Sequence, residues 1–220
     1  MVLLLLAVIA LTACNPKGNG GDDPPASVTL ESIFPDESLR QLVTLRLGNR
    51  ADLTGQNLIA ALAAINDAVL WIEGFGSSAA LAFRDAGFVI TAEVNGAAPS
   101  NVSGIEYLTG LMALVIENVP ITTINLSNLT NLVNFMITGT QLTSLDVSNL
   151  SNLTNFAVDN NSVLITLDLR NIDVEDPLPI ILDLQGTALT TLFLHNSNLT
   201  EANIINRPAS LVTVDLTTPK

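Results

Sequence analysis

Aliphatic residues recur along the second half of the chain in a fixed pattern, Leu-x-x-Leu-x-Leu. Its copies begin at Ile121, Leu142, Leu164, Leu189 and Leu211, and so lie 21, 22, 25 and 22 residues apart. A second series with the same internal spacing runs between them, starting at Leu111, Leu132 and Leu153 and, more weakly, passing through Leu182 and Leu184. Because a unit of about 21 residues cannot bury its own apolar edge, the pattern predicts rungs stacked about 4.8 Å apart around a shared core.

The doubled pattern resembles the short bacterial class of leucine-rich repeats, whose units of about 21 residues carry one strand segment on each side of the coil. The resemblance covers roughly residues 105–220. It implies an α+β protein: a leucine-rich repeat β-solenoid with a small helical N-terminal cap. Four inward positions are expected to form a single interior file: Leu126, Val147, Leu169 and Leu194.

Two helical patterns precede the repeat. The first opens at Pro35-Asp36-Glu37 and runs to Leu47, with Gly48 as a stop signal. The second starts at Thr54 and places four aliphatic residues on one face: Leu58, Ile59, Leu62 and Ile65. Since the end of a solenoid exposes its core, we interpret these helices as a cap. With residues 104–111 they resemble the helical cap and first rung of internalin-like bacterial proteins.

Residues 67–101 fit that resemblance badly. Val69–Ile72 and Phe88–Ala92 have the composition of short strands, with a small helix expected at Ala79–Asp85 between them. We interpret this segment as an irregular first rung with an insertion. The cap and this rung together span residues 27–101, and the solenoid spans residues 102–220.

The N-terminus is an aliphatic run, Val2–Leu11, which is too short for a membrane-spanning helix of about 20 residues. It ends in Leu11-Thr12-Ala13-Cys14, which resembles a bacterial lipobox. The resemblance implies a signal peptide over residues 1–13, lipid attachment at Cys14 and a flexible Gly/Pro/Asn/Asp tether over residues 14–26. It places the protein in the cell envelope, lipid-anchored in the outer membrane and facing outward. A plain secretory signal with an incidental cysteine is the alternative.

The composition limits the partners and the kinds of site that the chain can have. Lys and Arg total 8 against 21 Asp and Glu, a formal net charge of −13, which disfavours a nucleic-acid partner. The chain contains one Cys and one His, so the sequence offers no disulfide framework, no Cys/His metal cage and no catalytic pair except one built on His195. We therefore expect no cofactor, no metal and no enzyme activity.

The outward positions are the candidate binding surfaces. One strand series presents a hydroxyl column and an acidic column, and Phe193 interrupts the acidic one. Phe193 is either an isolated anchor for a partner or a side chain packed by its neighbours. The other series presents Met112 and Val133 in one column and Val115 and Met136 in the next, which suggests an apolar contact patch. Alternatively, the 67–101 insertion covers that patch, or the register slips by one residue and reverses every side chain.

An Asn follows one strand series in register, at Asn128, Asn149, Asn171 and Asn196. We interpret this column as a structural ladder that satisfies buried backbone groups at each turn. The functional hypothesis is a non-catalytic module for protein binding or adhesion, with an unknown protein ligand. A glycan ligand is disfavoured because Phe135 and Phe156 fall at inward positions. The alternative is a structural or assembly component of the envelope.

Overall fold

The computed structural model describes residues 28–50, 52–65, 69–73, 89–91, 99–172, 182–195, 197, 199 and 203–216. The expected signal peptide, the tether, the helix at 79–85 and Asn196 lie outside these residues. They therefore remain predictions from the sequence.

Within the described residues, the cap contains the helices α1 (Leu30–Ile33), α2 (Glu37–Arg46) and α3 (Gly55–Ala63). Asp36 caps α2 by accepting hydrogen bonds from the Ser38 and Leu39 N–H groups at 3.0 and 3.2 Å. Helix α2 ends just before Gly48, which has a φ of +65°, and Thr54 occupies the N-cap of α3. The two helices predicted from the pattern are confirmed. The single turn of α1 is too short to show a period and was not predicted.

The strands are β1 (Val69–Glu73), β2 (Val89–Thr91), β3 (Ala113–Glu117), β4 (Asn134–Thr138), β5 (Ser144–Asp146), β6 (Asn155–Ala157), β7 (Thr166–Asp168), β8 (Leu182–Asp183), β9 (Thr191–Phe193), β10 (Ile204–Ile205) and β11 (Thr213–Asp215). They form three parallel sheets, in the orders β2-β1-β3-β4-β6, β8-β10 and β5-β7-β9-β11. From β4 onward, consecutive strands lie alternately on the two sides of a coil, so that each rung contributes one strand to each side. The structure is therefore a leucine-rich repeat β-solenoid, as predicted. A 3₁₀ turn at Ile105–Tyr107 leads into the rung of β3.

Strand β1 is a regular rung strand. It pairs with β3 over its full length, from Val69 opposite Ala113 to Glu73 opposite Glu117, and β2 pairs on its other side. The two strands expected in this segment are confirmed. Their pairing is in continuous register with the repeat, which the interpretation as an irregular rung did not anticipate.

One hydrophobic cluster runs from Leu30 in the cap to Leu211 in the last described rung. The expected interior file is present: Leu126 is 4% exposed, and Val147, Leu169 and Leu194 are each 1% exposed. Phe135 and Phe156 also point inward and stack with their ring centroids 5.8 Å apart. Cap and solenoid thus share a continuous core, which is what keeps the outward faces fixed relative to one another.

The predicted asparagine ladder is wrong. Asn128, Asn149 and Asn171 are exposed, because their turns close with backbone bonds such as Leu150 N–H to the Val147 carbonyl at 2.9 Å. Among the described asparagines, it is Asn161 that is buried. It donates to the carbonyls of Ile137 and Val158 at 2.8 and 2.7 Å. Its Oδ1 accepts from the Thr140 N–H and hydroxyl at 3.0 and 2.7 Å. Asn161 departs from the Leu-x-x-Leu-x-Leu spacing, so the pattern did not reveal it.

The corner after one strand series requires a left-handed backbone. Asn118 and Gly139 stack there with φ of +55° and +65°, and Asn160 and Gly186 repeat the pair with φ of +58° and +69°. A Cβ on Gly139 would clash with Asn118 Oδ1 and lie 3.1 Å from the Asn118 Cα. The glycine is therefore needed both for its conformation and for the close approach of the neighbouring rung.

We expect Gly139→Ala to lower the free energy of unfolding more than Gly48→Ala does. Gly48 has the same φ of +65°, but a Cβ added there would meet no atom within 4 Å, so its substitution isolates the conformational cost of about 1 kcal/mol. At Gly139 the clash with Asn118 adds to that cost, for a total of about 2–3 kcal/mol. Urea unfolding of both variants measures the difference, and equal losses would show that the rung contact contributes nothing.

Candidate functional site

The outward side chains of β5, β7, β9 and β11, with the residue directly before each strand, form a continuous surface that we call the β5–β11 face. Cross-strand register places its hydroxyls in one column: Ser144, Thr166, Thr191 and Thr213. A second column contains Asp146, Asp168, Phe193 and Asp215. Both columns agree with the sequence expectation.

A third column precedes the strands and was missed from the sequence. Backbone bonds link its members in order: Ile165 N–H to the Thr143 carbonyl at 2.9 Å, Thr190 N–H to the Ile165 carbonyl at 2.9 Å and Val212 N–H to the Thr190 carbonyl at 3.1 Å. Ile165 is 45% exposed and Val212 is 79% exposed. The available signal was an aliphatic residue at the first variable position of two repeats, where the other repeats have Thr.

The acidic column also has a local structural role. Asp146 Oδ1 accepts the Ser148 N–H at 2.9 Å, and Asp168 Oδ1 accepts the Arg170 N–H at 3.1 Å. Asn125 makes the same bond to the Ser127 N–H at 3.1 Å. Each side chain thus closes the turn after its strand, a role that an amide performs as well as a carboxylate.

Arg170 and Phe193 form the centre of the face. The Arg170 Nε lies 2.8 Å from both Asp168 carboxylate oxygens, and its guanidinium carbon lies 5.7 Å from the Phe193 ring centroid. The hydrogen bond to Asp168 raises the pKa of Arg170 above its ordinary value, and the charges of Asp168, Asp146 and Asp215 raise it further. Phe193 is half-buried beside this cation, which agrees with the alternative that its neighbours pack it.

His195 has an acidic neighbour in the adjacent rung. Asp215 Oδ2 of the next rung lies 3.5 Å from His195 Nδ1. That nitrogen is buried and makes no hydrogen bond, so Asp215 is a neighbour of the imidazole and not its hydrogen-bond partner. The nearby Ser197 hydroxyl donates to the Leu194 carbonyl at 2.6 Å. This arrangement orients no serine toward the imidazole.

The predicted apolar patch is only partly present. Met112 is 51% exposed, and the Val133 N–H donates to its carbonyl at 2.8 Å, so these two residues are neighbours. Val133 and Met136 are half-buried. The prediction for Val115 is wrong, because this residue is 2% exposed. It lies on β3, an interior strand, where it is paired with Trp71 on one side and Met136 on the other.

Three carboxylates lie on the side of the coil opposite the β5–β11 face: Glu117 on β3, Asp183 on β8 and Asp159 two residues after β6. Burial raises the pKa of Asp159 above its ordinary value, and the charges of Asp183 and Glu117 raise it further. Glu117 itself is 6% exposed. Asp183 accepts hydrogen bonds from the Gln185 N–H at 2.9 Å and from Asn206 Nδ2 at 3.0 Å.

Within the described ranges, no three His, Cys, Asp or Glu side chains are grouped so that they could hold a metal ion. Among the same residues, no helix has the length and apolar character needed to cross a bilayer. A cleft of about 220 Å³ opens beside the β5–β11 face, lined in part by Asn125, Ser144 and Asp146. Its side chains supply hydrogen-bonding groups and a single carboxylate.

Three solved structures of Listeria monocytogenes internalins are similar to the chain. The match to InlF has 21% identity and a TM-score of 0.43, and covers 85% of this chain and 57% of that one. InlC2 matches at 19% identity and a TM-score of 0.38, over 91% of this chain and 100% of that one. The functional domain of InlJ matches at 25% identity and a TM-score of 0.30, over 54% of this chain and 28% of that one.

No protein-family model and no curated protein sequence matches the chain. The chain spans little more than half the length of InlF. The assignment as a leucine-rich repeat β-solenoid rests on the rung register and the interior file of this chain itself.

We expect Asp159→Asn to raise the free energy of unfolding at pH 7. Because the pKa of Asp159 is raised, the folded state binds its proton more tightly than the unfolded state does. Protonated Asp159 therefore stabilises the fold below the ordinary value of 3.8, and this contribution is lost as pH rises through the raised value. The advantage of the amide should therefore shrink as pH falls from 7 to 3. Urea unfolding across that range provides the measurement.

The matched control is Asp52→Asn. A hydrogen bond from Arg50 lowers the pKa of Asp52, so removing that carboxylate should lower the free energy of unfolding at pH 7. The decrease should be small because the pair is exposed. A destabilised Asp159→Asn variant at pH 7 would contradict the assignment.

Proposed function

We propose that the chain is a non-catalytic binding module, anchored by lipid at Cys14 to the outside of the bacterial outer membrane, that captures a protein partner on the β5–β11 face. The observation that carries the proposal is the pair of exposed aliphatic side chains Ile165 and Val212, which alternate with threonine in the third column of the face. Exposed apolar side chains within a polar surface are typical of protein contact sites.

The rigidity of the face supports the same role. Leu145, Leu167 and Leu192, which alternate with its outward residues, are 3%, 0% and 0% exposed. The face is therefore formed before a partner arrives, and little conformational entropy is lost on binding. A non-catalytic role is supported by the surroundings of His195, where Asp215 is the acidic neighbour and the Ser197 hydroxyl is engaged by a backbone carbonyl.

A second candidate is a role in assembling the envelope. Three large apolar side chains of the last described rung are exposed: Ile205 at 43%, Val212 at 79% and Leu216 at 45%. Strands β10 and β11 each pair with one described strand. Such a rung could extend onto another component by edge pairing.

We expect the double variant Ile165→Asp/Val212→Asp to lose the partner. The detergent-solubilised full chain would be immobilised and exposed to proteins from its native growth surroundings, and retained proteins would be quantified by mass spectrometry. Two charges in place of the two exposed aliphatic side chains should reduce retention of the specific partner at least about tenfold. The melting temperature should change little, because both side chains point outward.

Two matched variants distinguish the β5–β11 face from the other exposed apolar surfaces. Met112→Asp/Val133→Asp charges the other apolar patch, and is expected to retain the partner. Ile205→Asp/Leu216→Asp charges the last rung, and a loss of self-association there, measured by sedimentation, would favour assembly instead. Retention by the Ile165→Asp/Val212→Asp variant would refute binding on the β5–β11 face.

The lipid anchor has its own test. Cells expressing the full chain with labelled palmitate should incorporate the label, and Cys14→Ser should abolish incorporation because no thiol remains at the end of the lipobox-like sequence. Thr12→Ser, which keeps the cysteine and a small residue before it, serves as the control and should remain labelled. An unlabelled wild-type chain would favour the plain secretory signal.

A further inference from the structure

We propose that the partner places an extended segment in the cleft beside β5 and adds a strand to the sheet there. This inference rests on the proposed function and adds the way in which the partner is recognised. Its basis is a gap in the backbone hydrogen bonding between β5 and the rung before it, residues 121–126. The cleft of about 220 Å³ lies at this gap.

On its other side, β5 is joined to β7 by a regular parallel ladder. The Thr166 N–H donates to the Thr143 carbonyl at 3.2 Å, and the Val147 N–H donates to the Asp168 carbonyl at 3.0 Å. The equivalent two bonds recur between β7 and β9 and between β9 and β11. A rung that stacks regularly on β5 would therefore make the same two bonds with it.

The rung before β5 makes neither bond. Within the part of the chain that the structure describes, no hydrogen bond joins the Ser144 N–H to the Thr122 carbonyl or the Leu126 N–H to the Asp146 carbonyl. Residues 121–126 accordingly form no strand, and β5 is the edge of its sheet. Because alternate residues of β5 bond to β7, the backbone groups of Ser144 and Asp146 face the gap.

The sequence differs at the entrance to the two rungs. Pro120 leads into residues 121–126, and the Ile121 N–H folds back onto the Val119 carbonyl at 2.8 Å as a γ-turn. The equivalent residue of the next rung is Gln141, whose N–H donates to the Ile121 carbonyl at 3.0 Å. Proline has a fixed φ and no N–H, so the two rungs begin with different backbone geometry.

The cleft suits a short stretch of extended backbone. Residues 124–127 line one wall, and Ser144, Asp146, Asn149 and Leu150 line the other. Its volume of about 220 Å³ is below the range of about 300–1,000 Å³ that is usual for small-molecule pockets. The open edge of β5 is three residues long and offers N–H and C=O groups in alternation. An extended peptide is the ligand whose own backbone satisfies such an edge.

An added strand would continue the β5–β11 face. Its outward side chains would lie beside Ser144 and Asp146, in line with the hydroxyl and acidic columns. Since the cleft is small, neutral β-branched residues suit the segment best. On the other side of the coil β3 and β4 are paired over five residues each, so the strand can enter without breaking a bond of the ladder. Ile165 and Val212 remain accessible to the rest of the partner.

The probe is the capped pentapeptide Thr-Val-Thr-Val-Thr, titrated into the full chain in detergent micelles and followed by amide NMR shifts. We expect shifts at residues 122–126 and 144–146. Hydrogen exchange at the Ser144 and Asp146 amides should slow at least about tenfold, because both become bonded. The control is the same peptide with every backbone nitrogen methylated, which keeps the side chains but cannot donate to a ladder. It should cause no shifts at these residues.

Two variants of the chain test the open edge. Ser144→Pro removes an N–H that faces the gap, and proline is tolerated at the first residue of an edge strand. It should weaken peptide binding at least about fivefold and change the melting temperature little. Thr166→Pro is the matched change in the next rung. It removes the bond to the Thr143 carbonyl at 3.2 Å, so it should clearly lower the melting temperature.

A second pair of variants blocks the cleft with a side chain. Asn149 is exposed and lines the cleft, so the indole introduced by Asn149→Trp should exclude the peptide. Asn128 is exposed at the same position of the preceding rung and lies outside the cleft lining. Asn128→Trp should therefore bind the peptide as the unchanged chain does. This pair tests the site even if Ser144→Pro does not fold.

Three results would overturn the inference: equal binding of the methylated peptide, absence of shifts at residues 122–126 and 144–146, or unchanged binding in Asn149→Trp and in folded Ser144→Pro. Release of a preformed dimer by the peptide, measured by sedimentation, would overturn it as well. A second copy of the chain would then occupy the cleft in place of a different protein.

The two proposals can fail separately. If the native partner is lost from Ile165→Asp/Val212→Asp but retained by Asn149→Trp, strand addition is wrong and the binding face stands. If the partner is lost from Asn149→Trp but retained by Ile165→Asp/Val212→Asp, the cleft stands and the apolar contact on the face is wrong. Retention by both variants would refute both proposals.

Discussion

The structure depends on one constraint: the aliphatic edge of each rung is stable only when the next rung covers it. Leu126, Val147, Leu169 and Leu194 meet this constraint as an interior file, each 4% exposed or less. Parallel backbone pairing holds the rungs at a fixed spacing, and the cap joins the same cluster through Leu30. The outward columns are consequences of this stacking, because every inward residue determines which neighbours must face solvent.

The stacking also constrains the residues at the corners of the coil. Close approach of successive rungs leaves no room for a Cβ at Gly139, where Asn118 lies beneath. Where a corner is buried instead, polar groups must be satisfied within the protein, and Asn161 does this with both its amide and its carbonyl. Both devices join residues of different rungs, and neither contributes to the apolar period.

The same stacking brings together side chains that are distant in sequence. Arg170 lies over Phe193, and His195 lies beside Asp215 of the following rung. Single rungs contain neither pair, so the electrostatics of the β5–β11 face belong to the stack as a whole.

The sequence by itself determined the architecture. The apolar period and the helix-capping residues were enough to predict α2, α3, the strand series and the interior file. These features depend on a short-range spacing that recurs in every repeat. Tertiary structure alone decided which outward residues are accessible. Val115 occupies an outward position yet is 2% exposed, whereas Val212 is 79% exposed. A repeat pattern specifies which side of the strand a residue faces, but its exposure depends on which other segments lie against that side, and those contacts are long-range.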